Sequence, residues 1–228
     1  MNHDNDSNSN SKDQEQQYIP CEALQGFDLY DWSPDFTLTE DENYMDLVLI
    51  ITRSSACQIQ GHVAALLVDP SLCSQNNNLD LERQFFEKII GAGTNSPLFH
   101  EADSDIHAEI ACLGQACRNR RSAEGCTAYI TIPPCKRCFA ALVSFGVKRI
   151  LSRQSPPALI CDAAKRHGID IIFFTQDTNR KQMKRINELF NKGVTDHDLM
   201  DMAEKRKKWR EAKRSARQNK KSNELPRT

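Results

Sequence analysis

The sequence predicts an α/β domain, a five-stranded mixed sheet sandwiched between helices, with a basic helical extension at its C-terminal end. Short apolar runs that suit buried strands alternate along the chain with segments of helical periodicity. The last of these come in the order strand, helix, strand, which favours a parallel crossover. Pro, Gly and Asn stand at the joins, where each run has to stop. A length of 228 residues favours one domain of roughly 150 residues with extensions over two full domains.

Residues Met1 to Gln17 are almost entirely Asn, Asp, Ser and Gln, with nothing apolar after Met1 to repay ordering entropy. Residues 1–38 are therefore expected to form a mostly disordered leader, with Leu24 to Leu38 packing loosely on the domain surface. Tyr44, Leu47, Val48 and Ile51 recur at helical spacing, and Thr39 with Glu42 suits a capping box, which predicts a first helix at about 40–53. Val63 to Val68 is apolar, too short for a helix and stopped by Pro70, hence a buried strand. The Asn-rich stretch Ser71 to Leu79 reads as an exposed loop. Lys88 to Gly93 is the next strand, opening into a turn at Thr94 to Pro97. Ile106 to Arg120 reads as a helix on the spacing of Ile106, Ile110, Leu113 and Cys117, which puts His107 and Glu109 in its first turn. Thr127 to Ile132 is a strand ended by Pro133 and Pro134, and the helix after it carries Cys135 and Cys138 in its first turn. Val147 to Leu151 is a strand, Pro157 to His167 a helix ending at Gly168, and Ile169 to Phe174 the last strand. The domain is thus expected at 39–175 and the basic extension at 176–228.

The net charge of −1 averages an acidic start and a strongly basic end, so it excludes little by itself. Nine Cys, an odd number, in a chain with no apolar signal segment argue against a secreted disulfide framework and for a reducing, cytoplasmic or nuclear compartment. The longest apolar run, Met45 to Ile51, is interrupted by Asp46 and is too short for a bilayer, so no membrane partner is expected.

The chemistry concentrates in His107-Ala108-Glu109 and Pro134-Cys135-Lys136-Arg137-Cys138. One His and two Cys hold a zinc ion with a fourth position left open, and a nearby carboxylate that is not a ligand moves protons. A structural zinc knot normally takes four protein ligands, and neither a second Cys pair nor an H-x₃-H lies at the right spacing. The remaining Cys read as small buried groups or incidental thiols. His62, His100, His167 and His197 lack a partner at ligand spacing.

The combination H-x-E then P-C-x-x-C is similar to the signature of zinc-dependent nucleobase deaminases. Arg53 to Cys57 followed by Val63 to Val68, then Gly93 to Pro97, Gly125 to Thr131, Pro134 to Cys138 and Gly146 to Ile150 extend the likeness. From Tyr44 to Phe174 the chain resembles the deoxycytidylate deaminase family of the cytidine deaminase superfamily. Ala64, Thr94 and Ser96 stand where that family usually has Gly, Tyr and Gly. The segment from Asn95 to His107 is short, as in tRNA adenosine deaminases, whose usual T-x-E-P-C-x-M-C is here interrupted by Pro133 and Arg137.

The resemblance implies Zn²⁺ held by His107, Cys135 and Cys138, with the pKa of a bound water lowered toward roughly 7. It gives Glu109 the proton transfers, from water to the ring nitrogen and then to the departing amine. It also implies that Asn95 hydrogen-bonds the sugar, and that Ala65 and Ala108 line the base pocket and offer backbone contacts. The implied function is hydrolysis of a cytosine nucleotide, deoxycytidylate first, to the uracil nucleotide and ammonia. Two other readings stand beside it: an editing deaminase of tRNA or single-stranded nucleic acid, and a non-catalytic subunit of a heteromeric deaminase. Members of the superfamily assemble as dimers or larger, so a homo- or hetero-oligomer is expected.

From Asp196 the chain reads as one long polar helix, loaded with positive charge from Lys205 to Arg217 around Trp209. Such a helix suits phosphate backbones with an aromatic ring for stacking. It equally suits a nuclear-localisation run or a solvated face.

Overall fold

A computed structural model describes residues 21–57, 63–72, 80–99 and 104–191. Helix α1 (Glu40–Ile51) is followed by strand β1 (Ala64–Val68), α2 (Leu81–Glu87), β2 (Ile89–Thr94), α3 (Ala108–Arg118) and β3 (Thr127–Ile130). Then come α4 (Lys136–Ser144), β4 (Arg149–Ser152), α5 (Ala158–His167), β5 (Asp170–Phe173) and α6 (Gln176–Phe190). The strands form one sheet in the order β2-β1-β3-β4-β5. Strand β1 runs antiparallel to both β2 and β3. The pairs β3–β4 and β4–β5 are parallel, with α4 and α5 as the connections. The expected five-stranded mixed sheet between helices is therefore the observed one, with element ends shifted by one or two residues.

The sheet is buried on both faces because its strands are apolar on both. Ala65, Leu67, Ala128, Ile130 and Ile150 pack under α3, α4 and α5. Ala64, Leu66, Val68, Tyr129 and Leu151 face the opposite layer, where Tyr44, Leu47, Val48 and Ile51 of α1 lie. The alternation along β1 is the period of two that a strand requires. Helix α1 starts as expected: the Thr39 hydroxyl accepts from Glu42 N–H at 3.2 Å, and the Glu42 carboxylate accepts from Thr39 N–H at 3.1 Å. Such a box contributes about 1 kcal/mol.

Helix α1 is buried almost all round because α6 covers its outer side. Ile186 of α6 packs on Leu49 and Ile50. Beside that contact Asp46, 3 % exposed, accepts from Gln182 Nε2 at 2.9 Å and from Arg185 Nε at 2.9 Å and Nη2 at 3.0 Å. The boundary expected at 175 thus falls immediately before a helix that is packed on the domain.

Two expectations change. Leu24, expected to lie loosely on the surface with the segment to Leu38, is in the core instead: a 3-10 turn at Glu22–Leu24 buries Ala23 and Leu24, Leu24 with no exposure at all. Their partner is the edge strand β2. Gln115 of α3 accepts from Ala92 N–H through Oε1 at 2.6 Å and donates through Nε2 to Ala23 C=O at 3.1 Å, closing that edge. Helix α2 is an element the sequence does not predict; Asp80 caps it and Phe85 and Phe86 sink into the core, Phe85 stacking on Tyr44 and meeting Phe86 edge to face. No helix among the described residues is long and apolar enough to cross a membrane. Residues 1–20, residues 73–79 of the Asn-rich loop, and the basic run Lys205 to Arg217 lie outside the described residues.

Candidate metal centre

The sheet register brings the start of β1 and the ends of β2 and β3 to one edge. Ala64 pairs with Thr94, and Ala65 with Ile130. From that edge the chain leaves β2 at Asn95 to reach α3, and leaves β3 at Thr131 to reach α4. Both helices begin there.

His107 and Cys135 are not in first turns but are the N-cap residues of α3 and α4, each with extended backbone. The reason is local: neither residue is a usual cap, yet Cys135 acts as one, its Sγ accepting from Cys138 N–H at 3.5 Å. Cys138 is the third residue of α4 and buried. The three side chains converge although His107 and Cys135 are 28 residues apart. His107 Nδ1 lies 3.3 Å from Cys138 Sγ and 3.7 Å from Cys135 Sγ. All three donor atoms lie within 4.8 Å of one another.

These distances fit zinc. Tetrahedral bonds of about 2.3 Å to sulfur and about 2.05 Å to nitrogen put nitrogen and sulfur about 3.5 Å apart. The observed pair brackets that value. The donor chemistry, one imidazole and two thiols, is also what zinc takes. Burial is graded across the group, with Cys138 buried, His107 half-buried and Cys135 exposed. Both helix starts present partial positive charge to the thiols, which favours thiolate.

Glu109 follows His107 by two residues and is 4 % exposed. Burial pushes its carboxyl above the ordinary range, against the pull of His107 and of a hydrogen bond with Cys138. Burial, the Glu109 charge and Cys135 together push the Cys138 thiol up as well. A dication among these donors reverses that sign, because it stabilises thiolate and carboxylate alike. Behind Glu109 the lining is apolar, formed by Ala65, Cys112, Leu113, Ala128 and Ile130. The carboxylate accordingly sits in a low-dielectric pocket, the cause of its raised pKa in the metal-free protein.

The remaining expected residues gather at the same edge with altered roles. Asn95 Oδ1 accepts from Ala108 N–H at 2.8 Å, which leaves its amide donors for another partner. Ala108 N–H is therefore taken by Asn95. Ala65, the second residue of β1, lies opposite Gly93 and Ile130, so its backbone belongs to the ladder. Its methyl lines the apolar pocket beside Glu109.

Sequence reasoning missed what lets α3 approach so closely. A Cβ on Gly93 would lie 2.6 Å from Ala108 O and 2.6 Å from Cys112 N, and one on Gly91 would lie 2.6 Å from Cys112 O. Strand β2 must be glycine at both positions, and the alternating Gly91-Ala92-Gly93 in an otherwise good strand was the available signal.

Comparison with known proteins bears on the same residues. The sequence model of the cytidine and deoxycytidylate deaminase zinc-binding region matches residues 38–153. The tRNA-specific adenosine deaminase of Buchnera aphidicola is 34% identical over 103 residues, 44% of this chain and 65% of that one. The deoxycytidylate deaminase of Enterobacteria phage T4 is 40% identical over 48 residues, 21% of this chain and 25% of the relative. The chain thus matches under two thirds of the first relative's length and a quarter of the second's. Among solved structures, the dCMP deaminase of cyanophage S-TIM5 superposes with a TM-score of 0.44 at 19% identity, over 59% of this chain and 96% of that one.

Proposed function

We propose, from the premise that the chain belongs to the cytidine and deoxycytidylate deaminase zinc-binding family, that it deaminates a cytosine nucleotide hydrolytically, deoxycytidylate before others. The observation that carries the reading is a cluster of three metal donors, His107, Cys135 and Cys138, with the buried Glu109 two residues from the first of them. A closed structural zinc site takes four protein donors, whereas three converge here among the described residues.

His107, Cys135 and Cys138 are the residues that would hold zinc. When bound, the ion supplies Lewis acidity and lowers the pKa of a water from about 16 to about 7. Glu109 accepts the proton of the attacking water and delivers it to ring nitrogen N3, which makes C4 electrophilic. A C–O bond forms at C4. Glu109 then takes the remaining proton from the C4 hydroxyl and gives it to the exocyclic amine, the C–N bond breaks as the C4 carbonyl forms, and ammonia leaves as cytosine becomes uracil. The apolar lining behind Glu109 excludes water from its far side. Asn95, its oxygen fixed by Ala108 N–H, directs its amide donors toward a sugar hydroxyl. Ala65 and Ala108 bound the base by shape. The catalytic unit is 39–175, with α6 packed on it and the basic extension beyond.

A second reading, deamination of a tRNA or single-stranded substrate, is favoured by the adenosine deaminase relative and by the basic run at Lys205 to Arg217. Ammonia release from deoxycytidylate by zinc-loaded protein, run beside Glu109→Gln, tests the first reading. Turnover that disappears in the variant supports it. Zinc binding without turnover on nucleotide sinks it, and turnover on tRNA or single strands then establishes the second. Inactivity on every substrate until a partner chain is added points to a subunit of a heteromeric enzyme.

A further inference from the structure

We infer that Asn95 is a positioning residue for the metal centre: its side-chain oxygen fixes the start of α3 and, with it, the places of His107 and Glu109. The inference deepens the reading of the same site and rests on zinc being held there. A helix start is ordinarily closed by the side chain of its N-cap residue, which accepts from an unpaired N–H of the first turn. His107 occupies that position in α3 and makes no such bond. Its imidazole is turned to the thiols instead, with Nδ1 3.3 Å from Cys138 Sγ and 3.7 Å from Cys135 Sγ. A ring nitrogen that ligates a metal gives its one lone pair to the metal, and the other nitrogen then carries the proton, so a ligating imidazole has nothing left with which to accept. Helix α4 has no such conflict, because Cys135 accepts from Cys138 N–H through its own sulfur.

The first-turn donors of α3 are met from elsewhere. The Glu109 carboxylate accepts from its own backbone N–H. Asn95, 13 residues before Ala108, accepts from Ala108 N–H at 2.8 Å. An amide side chain accepts only through its oxygen, so this bond also sets how the Asn95 amide is turned. Beside it, Ser96 and Ile106 exchange two backbone hydrogen bonds at 2.9 and 3.0 Å. The residue before His107 is thus tied to Ser96 and the residue after it to Asn95. His107 is bracketed by bonds to two consecutive residues just past the end of β2. One half of the bracket is backbone and persists whatever side chain stands at 96, whereas the other half depends on the single, half-buried side chain of Asn95. Contacts that orient metal ligands from outside are worth about 10- to 100-fold in metal affinity or activity.

The test measures the zinc affinity of the full-length protein by competition with a chromophoric chelator, and the visible spectrum of the cobalt-substituted protein, which reports donor geometry. Parent, Asn95→Ala, Asn95→Asp and Ser96→Ala are compared, with kcat and KM for ammonia release from deoxycytidylate and the melting temperature taken alongside. Asn95→Asp keeps an accepting oxygen and lacks the amide donors; Ser96→Ala keeps the backbone half of the bracket. Zinc is expected to bind about 10- to 100-fold more weakly to Asn95→Ala, with an altered cobalt spectrum and a lower kcat at saturating zinc. Ser96→Ala should match the parent, and Asn95→Asp should recover affinity and spectrum while its KM stays high. Parental zinc affinity and spectrum in Asn95→Ala, whether its defect is confined to KM or to melting temperature, overturn the inference, as does an Asn95→Asp protein no better than Asn95→Ala. Should Asn95→Ala fail to fold, Asn95→Gln, which keeps the amide and displaces its oxygen, takes its place with the same expectation. If the parent releases no ammonia, the zinc and cobalt measurements still decide, so that the positioning role stands or falls apart from the deaminase reading.

Discussion

Gly93→Ala should damage the metal centre from the sheet below it. The added Cβ would lie 2.6 Å from Ala108 O, 2.6 Å from Cys112 N and 2.9 Å from Ala111 Cβ. Two of the three are backbone atoms of α3, so no side chain can swing away. Relief to 3.0 Å asks for 0.4 Å of helix movement and relief to 3.4 Å for 0.8 Å. His107 and Glu109 ride on the start of that helix, whereas Cys135 and Cys138 ride on α4. The shift therefore enters the donor distances directly. Sites of this kind tolerate about 0.5 Å, and a displacement near 1 Å can cost about 10²-fold in rate. A loss of roughly 10- to 100-fold in kcat/KM is expected, with weaker zinc retention. Overpacking costs about 1–3 kcal/mol, and at about 2–4 °C per kcal/mol the melting temperature should fall by roughly 3–10 °C. Gly91→Ala meets Cys112 O at 2.6 Å, one turn further from the metal, and should lose similar stability but less activity. Gly114→Ala, whose nearest neighbour is the flexible end of Arg118 at 3.5 Å, should instead stabilise the protein by about 0.5–1 kcal/mol. Calorimetry, zinc titration and ammonia release on the three variants are the assay. A Gly93→Ala protein with parental melting temperature, zinc content and activity would refute the close-approach argument.

Two further perturbations test how the layers are joined. Asp46→Ala leaves Gln182, which has no exposure, and Arg185 without their acceptor, and should cost about 2–4 kcal/mol in chemical denaturation, below the fully buried range because Arg185 is partly exposed. A loss under about 1 kcal/mol would mean that α6 is held by apolar packing alone. Burial raises the Asp41 carboxyl, but the Arg149 fork at 2.7 and 2.5 Å and the Tyr129 hydroxyl at 2.7 Å outweigh it and hold the group below its ordinary 3.8. A depressed native pKa gives stability that is present above 3.8 and lost as pH falls through the lower native value. Asp41→Asn should therefore cost stability at neutral pH and progressively less below pH 4; a penalty independent of pH would contradict it.

The parts legible in the sequence are those with a period or a fixed spacing. The helical repeat of Tyr44, Leu47, Val48 and Ile51, the box at Thr39 and Glu42, and the unbroken apolar run through Leu66 and Leu67 each name their element. The H-x-E and C-x-x-C spacings assemble a donor cluster because each opens a helix at the same sheet edge. Other features depend on contacts between distant segments. Leu24 and Ala23 lie in an aperiodic stretch, and their burial depends on Gln115, 92 residues from Ala23. Asn95 binds Ala108 N–H across 13 residues, a cap contact that no local pattern announces. Helix α2 has seven residues, too few for periodicity to separate it from a loop. The start of α3 falls two residues later than its periodicity predicts, and Cys135 lies just before α4, because His107 and Cys135 act as N-caps through geometry that their residue types do not advertise.

The central claim is that three protein donors hold zinc and leave one position open for the reaction. Zinc-edge X-ray absorption on the purified protein tests it most directly. The account predicts two sulfurs at about 2.3 Å and one nitrogen at about 2.0 Å with a further light atom, falling to one sulfur in Cys138→Ser. Three or four sulfurs, or a spectrum unchanged by Cys138→Ser, would mean a different ligand set and would contradict the account.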